Sequence, residues 1–339
     1  MPDFSPSLPV ISLRRLTEGP ERAAELRRLR EVTHTIGFFY LSEHDVPVEL
    51  QEELFKTAKK FFAQPREVKE RISNIHSPQY RGYAALGDER TQGTVDWREQ
   101  IDYGPERETS TVDLDTHPWR ILEGPNPWPD TLPELRPQVT EWMERLTDVS
   151  LVLLRGWAES LGQPADFFDP YFTRPFPLLK LCHYPPAGAD VPGLGVGAHH
   201  DSGVLTLLLP EAGSSGLQVR HGEEWLDVDT LPNHFVVNIG ELLEGATDGY
   251  LRATPHRVLP TRPGETRYSL PYFLTPDLDA RLPKVPLPEH LAGAARGTGQ
   301  DLSGQEIFEV SGLNALKSRL RAHPAITHRF HSELAASWS

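Results

Sequence analysis

Cysteine is nearly absent from this chain: Cys182 is the only one in 339 residues. That excludes an intrachain disulfide and any multi-cysteine zinc site, and it fits a reducing compartment, taken here as the cytoplasm. Long hydrophobic runs are also missing. No stretch approaches the roughly 18 apolar residues of a membrane span. The opening MPDFSPSLPVISLRR has no apolar core behind a basic start, so no secretory signal is expected. Positive charge is scarce, with 34 Lys and Arg against 48 Asp and Glu and a net charge of -14. Such a chain lacks the basic footprint of a nucleic-acid binder and is repelled by anionic membrane surfaces. Internal repeats and low-complexity tracts are absent. What remains is 38% hydrophobic and 24% charged, enough for a sizeable core and too apolar for general disorder.

At roughly 150 residues per domain, the length allows about two domains or one barrel with a helical lead-in. Periodicity predicts a strand at 8–13, a helix at 18–33, a strand at 37–41 and a helix at 47–62. Residues 77–108 lack periodicity and read as loops and short strands. A long helix is expected at 137–162, with Trp142, Leu146, Val149, Leu153 and Trp157 at helical spacing. Short strands with Gly and Pro turns then follow at 178–184, 204–209, 216–220, 224–228, 235–239, 256–259 and 268–273, the pattern of a β-sandwich or barrel. The stretch 303–335 turns helical again, interrupted at Pro324. The expected organisation is an N-terminal mixed region at 1–174, a β core at 175–277 and a C-terminal loop and helical region at 278–339. No flexible linker separates them, and no apolar stripe is reserved for a partner, so a monomer is expected.

The strongest chemical signal is Gly197-Ala198-His199-His200-Asp201-Ser202-Gly203. Residues two apart on a strand share a face, so His199 and Asp201 can point one way and His200 the other. His256, in ATPHRV, offers a third ligand. Two histidines and one carboxylate on one face of a metal leave the opposite face open, the arrangement of a non-haem Fe(II) oxygenase. Zinc also accepts such ligands, which keeps a zinc-dependent binding or hydrolytic protein open. Eleven residues past His256, Arg267 and Ser269 share a face by the same period of two, and a guanidinium with a hydroxyl suits a carboxylate. Nine other histidines, among them His34, His44 and His323, read as surface or loop residues. Arg81, Tyr83, Phe273 and the stretch 88–96 could line a pocket or serve the core equally well.

Together these motifs resemble the isopenicillin-N-synthase-like family of Fe(II)/2-oxoglutarate-dependent dioxygenases. LPVISL, GFFYLSEHDV, YRGYAALGDERTQGTVDWREQIDYG, GPNPWP, GAHHDSGVLTLLL, GLQV, NIGELLEGATDGYLRATPHRV and RYSLPYF carry the resemblance through most of the chain. It implies a mainly β fold with flanking helices around a double-stranded β-helix (jelly roll). It implies that His199, Asp201 and His256 ligate Fe(II), and that Arg267 and Ser269 hold the distal carboxylate of 2-oxoglutarate with Tyr184 beside it. It further implies that a small-molecule substrate is oxidised by O2, most simply hydroxylated, with release of succinate and CO2. A role in specialised metabolism would fit. Cys182 stands where the family often has Asn, and Glu241 and Asp248 where it commonly has Asp and Asn. A 2-oxoglutarate-independent oxidase of the same fold stays open, since Arg267 and Ser269 could bind a substrate carboxylate instead.

Overall fold

A computed structural model describes residues 8–188, 193–297 and 307–337. Among the described residues the strands are β1 (Val10–Ser12), β2 (Phe38–Ser42), β3 (Gly82–Ala84), β4 (Arg90–Thr91), β5 (Thr94–Val95), β6 (Glu99–Tyr103), β7 (Leu178–Tyr184), β8 (Val196–His199), β9 (Leu205–Pro210), β10 (Leu217–His221), β11 (Glu224–Asp227), β12 (Phe235–Ile239), β13 (His256–Val258) and β14 (Arg267–Leu274). They form an eight-stranded sheet in the order β1-β2-β12-β9-β14-β7-β6-β3 and a four-stranded sheet in the order β11-β10-β13-β8. A small β4–β5 hairpin stands apart. Every pairing is antiparallel except β1 with β2. This is the expected mainly β jelly roll with flanking helices.

Alternation along the strands sorts side chains into two layers. On β2, Phe38 and Tyr40 enter an apolar cluster with Tyr184, Val196, Val219, Val236 and Val258, which joins the two sheets. Phe39 and Leu41 turn the other way, into the larger core under the helices with Leu207, Val237 and Tyr272. The same parity puts Thr206, Asn238, Cys182, Arg267 and Ser269 on the inner face, between the sheets. Polar side chains that would destabilise an ordinary core thus converge in one place.

The outer face is covered mainly by the 26-residue helix Leu135–Ser160. It buries Trp142, Leu146, Val149, Leu153 and Trp157, the apolar stripe visible in the sequence, together with Val139 one turn earlier. The helices Arg22–Thr35 and Val48–Phe62 pack against it. Gly37 makes the turn between Arg22–Thr35 and β2 at φ +78°, where a Cβ would lie 2.4 Å from the Arg252 carbonyl oxygen. Several expected boundaries move. The first strand stops at Ser12, whose hydroxyl accepts from Arg15 N at 3.2 Å and so starts the short helix Leu13–Thr17. Residues 77–108 hold four strands, three of them only two or three residues long and too short to show a period. Of the expected C-terminal helical stretch, 303–306 fall outside the described residues; the remainder forms Ser311–Ala322, Pro324–Phe330 and Ser332–Ser337. No described helix is long and apolar enough to cross a membrane.

Candidate active site

His199 ends β8 and His256 begins β13, and the two face each other across that strand pair. Their ring centroids are 4.3 Å apart. Each Nδ1 sits against the carbonyl oxygen two residues back, Gly197 at 2.8 Å and Thr254 at 3.1 Å. A carbonyl only accepts, so each Nδ1 carries the proton and each Nε2 presents a lone pair. Asp201 is not on the strand, which ends two residues earlier, so the period-two argument does not orient it. Its Oδ2 accepts from Thr206 Oγ1 and, at 2.7 Å, from Asn238 Nδ2. Thr206 and Asn238 are cross-strand partners on β9 and β12. The Asp201 carbonyl accepts from Glu241 N at 2.8 Å, so the turn backbone is fixed as well. Oδ1 is thereby aimed at the imidazoles, 3.5 Å from His199 Nε2 and 3.6 Å from His256 Nε2. The ligand atoms of all three side chains lie within 4.8 Å of one another.

Burial acts on all three groups. It depresses the His199 imidazole, but the hydrogen bond and charge of Asp201 outweigh it and the pKa is raised. Burial and then the neighbouring His199 push His256 down to about 4. Burial would raise the Asp201 carboxyl; the two imidazoles and Asn238 overcome it and hold it well below the usual range. An ionised carboxylate facing two imidazole lone pairs is a donor set for a divalent cation with one face left open. Among the described residues it is the one His/Cys/Asp/Glu cluster suited to a metal.

Arg267 and Ser269 lie on the inner face of β14, opposite Tyr184 and Cys182 of β7. The Arg267 guanidinium sits over the Tyr184 ring at 4.9 Å. It is 4% exposed, yet its Nε and Nη1 have no partner among the described residues. A buried cation with free donors is strongly unfavourable unless an anion completes it. The residues present therefore fit a dicarboxylate as well as a metal.

The family model described as "non-haem dioxygenase in morphine synthesis N-terminal" matches residues 8–131, and that of the "2OG-Fe(II) oxygenase superfamily" matches 175–276. The chain is 32% identical to the 2-oxoglutarate-dependent dioxygenase frbJ of Dothideomycetidae sp. (strain 11243), over 96% of this chain and 92% of that protein. The chain belongs to the 2OG-Fe(II) oxygenase superfamily. It is also 32% identical to a homoarginine-6-hydroxylase of Arabidopsis thaliana, over 82% of this chain and 87% of the relative. A Neurospora crassa protein solved with alpha-KG and thymine superposes with a TM-score of 0.74 at 25% identity, covering 97% of this chain and 98% of that one. The chain is thus an oxidoreductase that uses Fe(II), 2-oxoglutarate and O2. Of the three readings left open by the sequence, the 2-oxoglutarate-dependent oxygenase is the one that the superfamily match, the relatives and the alpha-KG-bound structure together support.

One cavity of this oxygenase, about 470 Å³, has His199, His200 and Asp201 in its wall, His200 Nδ1 facing Glu241 Oε1 at 3.4 Å. The β4–β5 hairpin, the inner face of the large sheet and the helix Ser311–Ala322 complete it. Arg267, Ser269 and Tyr184 are not in that wall; they lie in the interior between the sheets. Of the residues left undecided by sequence, Arg81, Phe273 and several between 88 and 96 line the cavity. Tyr83 does not; its hydroxyl bonds Glu99 at 2.5 Å on the helix side. Sequence reasoning missed a buried ion network beside the cavity. Lys180 Nζ meets Glu89 at 2.6 Å and Asp102 at 3.4 Å. Arg98 bonds Glu89 at 2.8 Å and Asp96 at 3.1 Å, and Arg319 bonds Asp102 at 2.5 Å. His323, expected at the surface, is buried 3.8 Å from both Glu89 and Asp102. His44 is buried as well. The only sequence signal was parity, since Gln100 and Asp102 alternate with apolar Ile101 and Tyr103.

Proposed function

We propose that His199 Nε2, Asp201 Oδ1 and His256 Nε2 hold the Fe(II) of this oxygenase, and that Arg267 and Ser269 receive the distal carboxylate of 2-oxoglutarate beside Tyr184. The reaction is hydroxylation of a C–H bond in a small molecule bound in the cavity. The observation that carries this reading is the pairing of an oriented two-histidine, one-carboxylate cluster with a buried, unsatisfied guanidinium on the inner face of the sheet opposite the two histidines. The homoarginine of the Arabidopsis relative's name and the thymine bound in the Neurospora structure, both small and polar, support the substrate class.

Fe(II) with 2-oxoglutarate and O2 supplies the oxidising chemistry, with succinate and CO2 as co-products. The chain's own residues do the rest. Thr206 and Asn238 hold Asp201 Oδ2 so that Oδ1 faces the metal position. Gly197 and Thr254 hold the imidazoles in the Nε2-donating tautomer. Arg267 and Ser269 orient the cosubstrate from its far end, and the apolar cluster around Tyr184 keeps water from that end. Residues 175–277 form the catalytic unit, while 1–174 and 278–339 supply cavity walls. The protein works as a cytoplasmic monomer and does not act on nucleic acid.

Anaerobic titration of the Fe(II)-loaded protein with 2-oxoglutarate tests the site. A metal-to-ligand absorbance band is expected in the wild type and is lost or strongly weakened in Arg267→Ala while Fe(II) binding persists. A band indifferent to Arg267→Ala would remove Arg267 from the cosubstrate site; no band in His256→Ala alone is the matching control for the metal.

A further inference from the structure

The charges around the cavity are unequal. Seven basic side chains line it against three carboxylates. Of those carboxylates, Asp201 faces the imidazoles, Glu89 is taken by Lys180 and Arg98, and Glu241 faces His200. None is left to receive a cation. Among the basic groups of the wall with little exposure, Arg98, Lys180 and Arg319 each have a carboxylate partner, and Lys317 lies over the Phe308 ring at 5.5 Å.

Arg81 differs. It is 3% exposed and lines the cavity. The one hydrogen bond of its guanidinium among the described residues is long, Nη2 to the Leu122 carbonyl at 3.5 Å, and its Nε is buried with no partner. The guanidinium is nonetheless held in place. It lies over the Phe176 ring at 5.1 Å and against Gly104, where a Cβ would come within 1.5 Å of Nη1. Arg107 also sits over Phe176, at 5.2 Å, but bonds Glu123 at 2.6 Å. Burial, and then the charge of Arg319, pulls Arg81 down to about 9; the charges of Asp102 and Glu106, neither of them its ion-pair partner, do not make up for it. A fixed, dry guanidinium with free donors is preorganised for two-point capture of a planar anion.

We infer that Arg81 receives a carboxylate of the primary substrate, so that this oxygenase acts on a small carboxylic acid. The inference rests on the reading of His199, Asp201 and His256 as the iron centre, of which His199 and Asp201 stand in the same cavity wall.

The test uses the full chain labelled with 15N-arginine, loaded with Zn(II) in place of Fe(II) and saturated with 2-oxoglutarate, so that no turnover intervenes. The Arg81 Nε–H signal is assigned by its loss in Arg81→Lys. Acetate, hexanoate and phenylacetate are titrated in, then their primary amides. The acids are expected to move the Arg81 signal and the amides to leave it in place. Acid affinity is expected to fall roughly 30-fold or more in Arg81→Gln and by less in Arg81→Lys, which keeps the charge. Equal responses to acids and amides, no response to either, or acid binding in Arg81→Gln within twofold of wild type would overturn the inference. The wild-type titration decides the point even if Arg81→Gln does not fold. Failure of 2-oxoglutarate to bind, read on the same sample, counts against the cosubstrate site instead, and the acids still report on Arg81.

Discussion

At Asp201 the two carboxylate oxygens have separate roles, and the protein rather than any ion assigns them. Oδ2 is tied to Thr206 and Asn238, which leaves Oδ1 toward His199 and His256. Groups that orient a metal ligand fix its geometry, and their loss typically weakens metal binding. Asn238→Leu keeps the side-chain volume and removes the donor, so Oδ2 loses its 2.7 Å bond. Metal affinity is expected to fall about 10- to 100-fold, with the far-ultraviolet spectrum unchanged, as read by Mn(II) titration of both proteins. Unchanged affinity would mean that Thr206 alone suffices to orient the carboxylate. Arg267→Lys is a second case at this scale. Lysine keeps the charge but not the planar fork, so 2-oxoglutarate should bind more weakly than to wild type and more tightly than to Arg267→Ala, as calorimetry of the metal-loaded proteins would show.

Elements succeed or fail in the sequence according to length and period. The helix Leu135–Ser160 announces itself because six large apolar side chains recur on one face, and the strands at 178–184 and 235–239 because β-formers run between turn residues. By contrast β8 is VGAH, with little to mark it as a strand; it exists through pairing with β13. The convergence of His199, Asp201 and His256 was legible, although the strand argument for Asp201 was not the reason it holds. Trp142 shows what the long helix contributes, since it is fully buried against Phe235 at a centroid distance of 5.8 Å. Trp142→Ala should cost roughly 3–5 kcal/mol. The urea midpoint would drop with an unchanged slope, and a loss below about 1 kcal/mol would show that the helix repacks around the gap.

Over the whole molecule, what the sequence hid is the wiring between distant segments. Glu89 and Lys180 are 91 residues apart, Asp102 and Arg319 217 apart, and periodicity carries no information across such gaps. These ion pairs tie the C-terminal helices to the inner face of the sheet and so fix one wall of the cavity. His323 sits in the middle of them. Burial pushes its pKa from 6.5 down to about 4, outweighing the pull of Glu89 and Asp102. A histidine depressed in the folded state stays neutral there while the unfolded chain takes up a proton. Its contribution is therefore complete above pH 6.5 and lost as pH falls toward 4, on the order of 3 kcal/mol over that window. Glu89 and Asp102, held below their ordinary values against their burial by Lys180 and the arginines, are lost only at still lower pH. Urea unfolding at a series of pH values should show stability declining between 6.5 and 4, and His323→Gln should make that decline shallower, leaving the part that His256, also pushed down to about 4, contributes over the same window. A variant that keeps the full wild-type slope between 6.5 and 4 would show that His256, and not His323, carries the decline.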